Sequence, residues 1–158
     1  MSYFNVRVYG LLINQNNEVL LSDEQEQGFR FSKFPGGGLE LGEGLIDGLK
    51  REFIEECQAE IDVVSHFYTT DFFEKSSFND SQVISVYYLV KEKSPLKLAF
   101  KAKIYDFDGD GEVLQAFRWV KIEDLSVDDI TFKTDKTVAM LLKNQFSQRD
   151  SCGTVNSL

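Results

Sequence analysis

Residues 36 to 57 read GGGLELGEGLIDGLKREFIEEC, and no other stretch restricts the possible folds as much. Three glycines end whatever element precedes them, and a helical pattern begins within ten residues. From Leu45 to Cys57 the apolar residues Leu45, Ile46, Leu49, Phe53, Ile54 and Cys57 recur at helical spacing, so one face is built for burial. The other face is electrostatically odd. Glu52 stands three and four residues before Glu55 and Glu56, which places like charges side by side at about 0.2–0.5 kcal/mol per pair. These carboxylates also fall in the last turns, where the helix dipole prefers cations. Local stability argues against the arrangement, so something outside the helix must compensate it.

The rest of the chain narrows what that is. A length of 158 residues reads as one domain, able to bury about two-thirds of the unfolded chain's surface. With 21 aromatic residues (14 Phe, 6 Tyr, 1 Trp), the chain is not a disordered one. A formal charge of −9 opposes binding along a nucleic-acid backbone, which needs a basic face. It leaves room for a small phosphorylated ligand, since a bound cation inverts the local field. Cys57 and Cys152 make neither a disulfide framework nor a zinc site, and Cys57 falls on the apolar helix face as a small buried hydrophobe. The start, MSYFNVRVYG, lacks the pattern of a signal peptide, and no apolar window is long enough for a membrane span. A cytoplasmic location is expected.

Along the chain, "FNVRVYGLLI" and "VLLS" flank the turn residues "NQNNE" as a hairpin-like start, and "FRFSKF" is a strand broken by Pro35. "AEIDVVSHFYTTDFFE" and "SQVISVYYLVK" read as an antiparallel pair. The next segment, to "DFDGDGEV", reads as part strand and then an exposed acidic loop. "AFRWVKI" is a strand, "EDL" a turn, and a second amphipathic helix starts near Thr134. The expected fold is an α/β (α+β) sandwich around a mixed sheet, with residues 1–147 as a single domain and 148–158 as a disordered polar tail.

Several carboxylates on one face suit Mg²⁺ or Mn²⁺, which take hard oxygen ligands, and cations there would relieve the repulsion among Glu52, Glu55 and Glu56. Gly36, Gly37 and Gly38 let the backbone approach a ligand closely. Magnesium keeps waters and binds substrate phosphates, so this chemistry favours metal-assisted attack of water on a phosphoanhydride. The competing reading is a solvated acidic surface. The glycine run lacks both the G-K-[ST] ending of a P-loop and a dinucleotide fingerprint.

Spacing separates the two readings. The stretch resembles the signature of the Nudix hydrolases, G-x5-E-x7-R-E-U-x-E-E-x-G-U, where U is a bulky apolar residue. Gly37, Glu43, the triplet Arg51-Glu52-Phe53 and the pair Glu55-Glu56 match it, seven of nine specified positions. Gln58 and Ala59 replace the helix-ending glycine and the aliphatic after it. A left-handed conformation at Gln58 would cost on the order of 1 kcal/mol, or else the helix ends differently.

The resemblance implies a Nudix-type α/β/α sandwich and a Mg²⁺-dependent pyrophosphohydrolase, with Mn²⁺ as an alternative metal. It implies that Glu52, Glu55 and Glu56 bind metal and carry catalysis, assisted by the carbonyl of Gly37, with Glu52 as the candidate to take a proton from water. Arg51 and Glu43 are implied as a salt bridge holding the glycine loop against the helix. A distant carboxylate often completes such sites, and among Asp106, Asp108, Asp110 and Glu112 the choice is Glu112. The same loop begins like an EF-hand but has Phe117 where a bidentate glutamate is required. Arg30, Lys33 and Phe34 are candidates to meet phosphate and base, against the alternative of an ordinary edge strand. His66, the one histidine, is expected to be structural, because no G-x-S-x-G elbow accompanies it. The expected substrate is a nucleoside diphosphate linked to a further moiety X, with no nucleic-acid or membrane partner and a homodimer as a common family assembly. The alternative is a catalytically idle module that senses nucleotide or binds a partner.

Overall fold

The computed structural model describes residues 1–152. Seven strands form two sheets: β1 (Phe4–Leu12), β2 (Glu18–Glu26), β3 (Phe29–Lys33), β4 (Gly36–Gly38), β5 (Ile61–Thr69), β6 (Gln82–Glu92) and β7 (Val113–Lys121). One sheet is mixed, in the order β4-β1-β6-β5 with β1 parallel to β6; the other is antiparallel, β3-β2-β7. The helices are α1 (Leu45–Cys57) and α2 (Lys133–Cys152), the latter preceded by short 3-10 turns at Ile122–Asp124 and Val127–Asp129. No helix among the described residues is long and apolar enough to cross a membrane.

Alternation on β1 distributes the core. Val8 and Leu12 join the cluster under α1 with Leu49, Phe53 and Cys57, while Tyr9 and Leu11 join the cluster under α2 with Val138, Ala139 and Leu142. Successive side chains of a strand point to opposite faces, so one apolar run serves both layers. The expected sandwich with a mixed sheet is what forms.

Four local expectations need correction. The first two strands are not a hairpin: Asn14 accepts from the amides of Asn16 (2.9 Å) and Glu18 (3.0 Å) to make the turn, but beyond one bridge at Ile13 and Val19 the strands enter different sheets. The burial of both faces of β1 against separate helices outweighs local pairing. Ile46 and Ile54 are exposed, so the buried stripe of α1 is narrower than its apolar pattern. Residues 93–112 contribute only an isolated bridge, Phe100 to Phe117, and otherwise stay irregular. The expected tail beginning at 148 is helical as far as Cys152, because α2 continues as a solvent-exposed helix; positions 153–158 lie outside the described residues.

The departure at Gln58 resolves in favour of strain. Gln58 takes the left-handed conformation (φ 51°), its amide bonds the carbonyl of Ile54 at 3.1 Å, and that of Ala59 bonds Phe53 at 3.4 Å. The helix ends as a glycine-capped one does, with a side chain where glycine is favoured.

Candidate active site

A cavity of about 360 Å³ opens where β1, β2, β3, β4, α1 and the start of α2 meet. Its acidic corner depends on backbone proximity. A Cβ on Gly36 (φ +145°) would lie 2.0 Å from the Val8 carbonyl oxygen, and one on Gly37 would lie 2.6 Å from the Glu52 carboxyl carbon. Glycine is therefore required for β4 to pair with β1 and for Glu52 to pack on the loop.

Glu52 and Glu56 both line the cavity, one helical turn apart, together with Glu24 from β2. Lys33 is buried among them: its Nζ lies 3.0 Å from Glu24 and 3.5 Å from Glu56, and donates to the Gly36 carbonyl at 2.9 Å. The Gly36 amide in turn donates to Glu56 at 3.2 Å. Burial raises the Glu56 carboxyl above its ordinary range, with Lys33 opposing that shift. Burial alone would lower Lys33, but Glu56 and Glu24 outweigh it and the ammonium is held well above its ordinary range.

Arg51 organises the other side. Its guanidinium donates to Glu43 (2.7 and 2.9 Å), the Gly38 carbonyl (3.0 Å), Glu52 (3.0 Å) and Glu55 (3.2 Å). Hydrogen bonding from Arg51 lowers Glu43 to about 2. The expected Arg51–Glu43 clamp of loop to helix is present as a contact. Glu55 stands outside the cavity lining, 57% exposed at its side chain, and shares the Arg51 guanidinium with Glu52.

The cavity lining also includes aromatic residues and a further carboxylate. Phe31, Phe78 and Phe132 are among them, with centroid separations of 5.2 Å (Phe31–Phe78) and 5.5 Å (Phe31–Phe132). Asp135, in the first turn of α2, is buried and accepts from the Tyr87 phenol. Burial pushes Asp135 up to about 7, so it retains its proton far above the usual carboxylate range. Arg7 donates to the Tyr9 hydroxyl at 2.6 Å beside this group.

Other candidates lie elsewhere. Phe34, the residue after β3, is fully buried in the core under α2 with Tyr87 and Val138, so it does not face the cavity. Arg30 is exposed, stacks near Tyr105 and Phe107 (5.9 and 5.8 Å to the centroids) and bonds Gln25, lining a separate depression. Lys33 does reach the cavity, but all three of its donor directions are directed to Glu24, Glu56 and Gly36, so it has none left for phosphate. Glu112 is exposed before β7 and does not line the cavity; the irregular course of residues 93–112 leaves the acidic loop on the surface. His66 is exposed on β5 and bonds Thr69 at 2.8 Å. The sequence reading missed Glu24, Tyr87, Phe78, Phe132 and Asp135. Glu24 lies in a strand of mixed polarity, and Asp135 looks like an ordinary helix-start acid, so neither carried a signal of burial.

The donor set fits a hard divalent ion in kind: carboxylates and main-chain carbonyls, without imidazole or thiolate. Among the described residues, no three His, Cys, Asp or Glu side chains already surround a common point as a metal cage, because the corner's carboxylates are turned toward Lys33 and Arg51.

The description of the NUDIX domain matches residues 4–141. Among solved structures, the MutT protein of Methanosarcina mazei superimposes with a TM-score of 0.63 at 18% identity, over 93% of this chain and 95% of that one. A MutT structure from a study of the Aliivibrio salmonicida and Vibrio cholerae proteins gives 0.57 at 23%, over 90% and 98%. A UDP-X diphosphatase gives 0.59 at 14%, over 90% and 64%. At these identities the likeness is one of fold. No curated protein matches the chain. Family assignment therefore rests on the domain match across most of the chain, together with the glycine loop and acidic helix that carry its signature: the chain belongs to the Nudix hydrolase family.

Proposed function

We propose that the protein is a Mg²⁺-dependent pyrophosphohydrolase of nucleoside diphosphates linked to a further moiety X, with Mn²⁺ able to replace Mg²⁺, acting in the cytoplasm. One observation carries this reading: Glu52, Glu56 and Gly37 line one cavity together with the aromatic residues Phe31, Phe78 and Phe132. On this reading the phosphates meet the acidic corner, and the base stacks on Phe31, Phe78 and Phe132.

Glu52, Glu56 and the Gly37 carbonyl would hold divalent ions, with Glu55 contributing once released from Arg51. Such ions supply polarisation of a phosphoryl oxygen and a bound water of lowered pKa. Glu52 takes the proton of the attacking water. Water oxygen bonds to one phosphorus, the bond from that phosphorus to the bridging oxygen breaks, and the products are a nucleoside monophosphate and P–X. Arg51 and Glu43 keep the glycine loop seated on α1 while this occurs.

The test is turnover of a panel of nucleoside triphosphates, nucleotide sugars and ADP-ribose with Mg²⁺ or Mn²⁺, for the wild type, Glu52→Gln and Glu56→Gln. Each substitution is expected to reduce kcat by about 10³-fold or more, equivalent to roughly 4 kcal/mol of barrier. Unchanged turnover in both variants contradicts the assigned roles. Tight nucleotide binding by calorimetry without any product would instead identify a nucleotide-sensing module.

A further inference from the structure

Lys33 is one cation facing two carboxylates. Its ammonium lies 3.0 Å from Glu24, 3.5 Å from Glu56 and 2.9 Å from the Gly36 carbonyl, and its side chain is only 5% exposed. These three partners are hard oxygens from β2, α1 and the glycine loop, the same kind of donor that a divalent ion takes. A long flexible lysine is normally solvated, and burying its charge is costly unless it is paired and hydrogen-bonded. Here the pairing is complete, with three N–H donors and three acceptors. The ammonium sits over the Tyr9 ring as well, 5.7 Å from its centroid, which closes the remaining side with an electron-rich face.

From this geometry we infer that Lys33 is a tethered cation of the acidic corner, occupying a position between Glu24 and Glu56 that a divalent ion would otherwise take. The inference rests on the reading that this corner seats divalent ions. Its consequence is a division of labour along α1. Glu56 is partly neutralised from within by Lys33, whereas Glu52 lines the cavity beside the Arg51 guanidinium at 3.0 Å, with Arg7 also within electrostatic reach. The corner in the wild type accordingly binds fewer or more weakly held divalent ions than its carboxylates alone would gather, and the ion it does bind is centred toward Glu52. Lys33 is in this sense a positioning residue that acts through the carboxylates. It does not reach substrate.

The experiment is a Mn²⁺ titration of the full chain without nucleotide, by calorimetry and by the spectroscopic signal of free Mn²⁺, comparing wild type with Lys33→Met. Methionine keeps an unbranched side chain out to the ε position and removes the ammonium. The expected result is at least tenfold tighter Mn²⁺ binding, or one additional ion per chain, with the gain abolished in Lys33→Met/Glu56→Gln. Equal or weaker binding by Lys33→Met overturns the inference while leaving the metal reading intact, provided the wild type binds Mn²⁺. Absence of Mn²⁺ binding in both overturns the inference together with the reading beneath it. Should Lys33→Met be unfolded in EDTA, an ion that takes the vacated position restores cooperative thermal unfolding on addition of millimolar Mn²⁺. Failure of Mn²⁺ to restore it also overturns the inference.

Discussion

Asp23 and Glu24 are neighbours on β2, yet they belong to two different kinds of ion cluster. Asp23 faces the interior, where Arg118 donates to both of its oxygens at 2.8 and 3.1 Å and Ser32 donates to one at 2.5 Å. The remaining Arg118 donors go to Asp129, including its carbonyl at 2.8 Å. Everything there is matched, and the pair lies away from the cavity. Glu24 points the other way, into the cavity, and shares a single Lys33 with Glu56. One residue along a strand separates a cluster closed off in the interior, Arg118 with Asp23 and Asp129, from one that lines a cavity, Lys33 with Glu24 and Glu56. Each cluster holds one cation and two carboxylates, so neither burial nor charge balance by itself marks a functional site; placement on a cavity does.

The sharpest way to break that contrast is to remove one partner from each cluster. Asp23→Ala leaves the buried Arg118 guanidinium with Asp129 as its remaining partner, the carboxylate 3.5 Å away, and is expected to cost about 3 kcal/mol of stability by urea denaturation. Glu24→Gln keeps an oxygen acceptor beside Lys33, which stays paired with Glu56, so a smaller loss of about 1–2 kcal/mol is expected. Equal losses in the two variants would show that the clusters are not different in kind.

Asp135 sharpens the comparison further, since its hydrogen-bond partner is the neutral Tyr87 phenol. Burial raises its folded-state pKa from 3.8 to about 7, so folding takes up a proton between those values. Stability contributed through this group is therefore greatest in acid and falls as pH rises from about 4 to about 7, by about 4 kcal/mol as an upper bound. Asp135→Asn removes this component. Denaturation midpoints measured from pH 4 to 8 should decline more steeply in the wild type than in the variant, and parallel curves would show that Asp135 does not retain its proton.

The smallest effect belongs to the end of α1. Gln58→Gly relieves a left-handed side-chain conformation and should stabilise the protein by about 1 kcal/mol. A thermal midpoint unchanged or lowered by the substitution would show that the Gln58 side chain compensates its strain.

Much of this was legible in the order of residues. The helix over Leu45–Cys57, the strand pair β5–β6 and the closing helix follow from apolar periodicity, and the Arg51–Glu43 contact follows from the signature spacing. The parting of β1 and β2 into separate sheets was not legible, because it depends on two helices competing for opposite faces of one apolar strand. Phe34 illustrates the same limit from the other side: next to a glycine loop it reads as a ligand contact, but the turn between β3 and β4 buries it in the core under α2. Lys33 read as a solvent-facing phosphate contact until its neighbours Glu24 and Glu56, 9 and 23 residues away in the chain, came into place around it. Long-range charge pairing leaves no periodic trace.

The central claim is that the corner between the glycine loop and α1 seats divalent ions beside a phosphoanhydride. The most direct measurement is the anomalous difference map from crystals holding Mn²⁺ and a non-hydrolysable nucleoside diphosphate analogue. The account predicts Mn²⁺ bound by the Glu52 carboxylate, next to the analogue's phosphates and within the wall that Glu56 and Gly37 share. A nucleotide seated in the cavity with no Mn²⁺ near Glu52 or Glu56, and with both carboxylates still turned to Arg51 and Lys33, would contradict it.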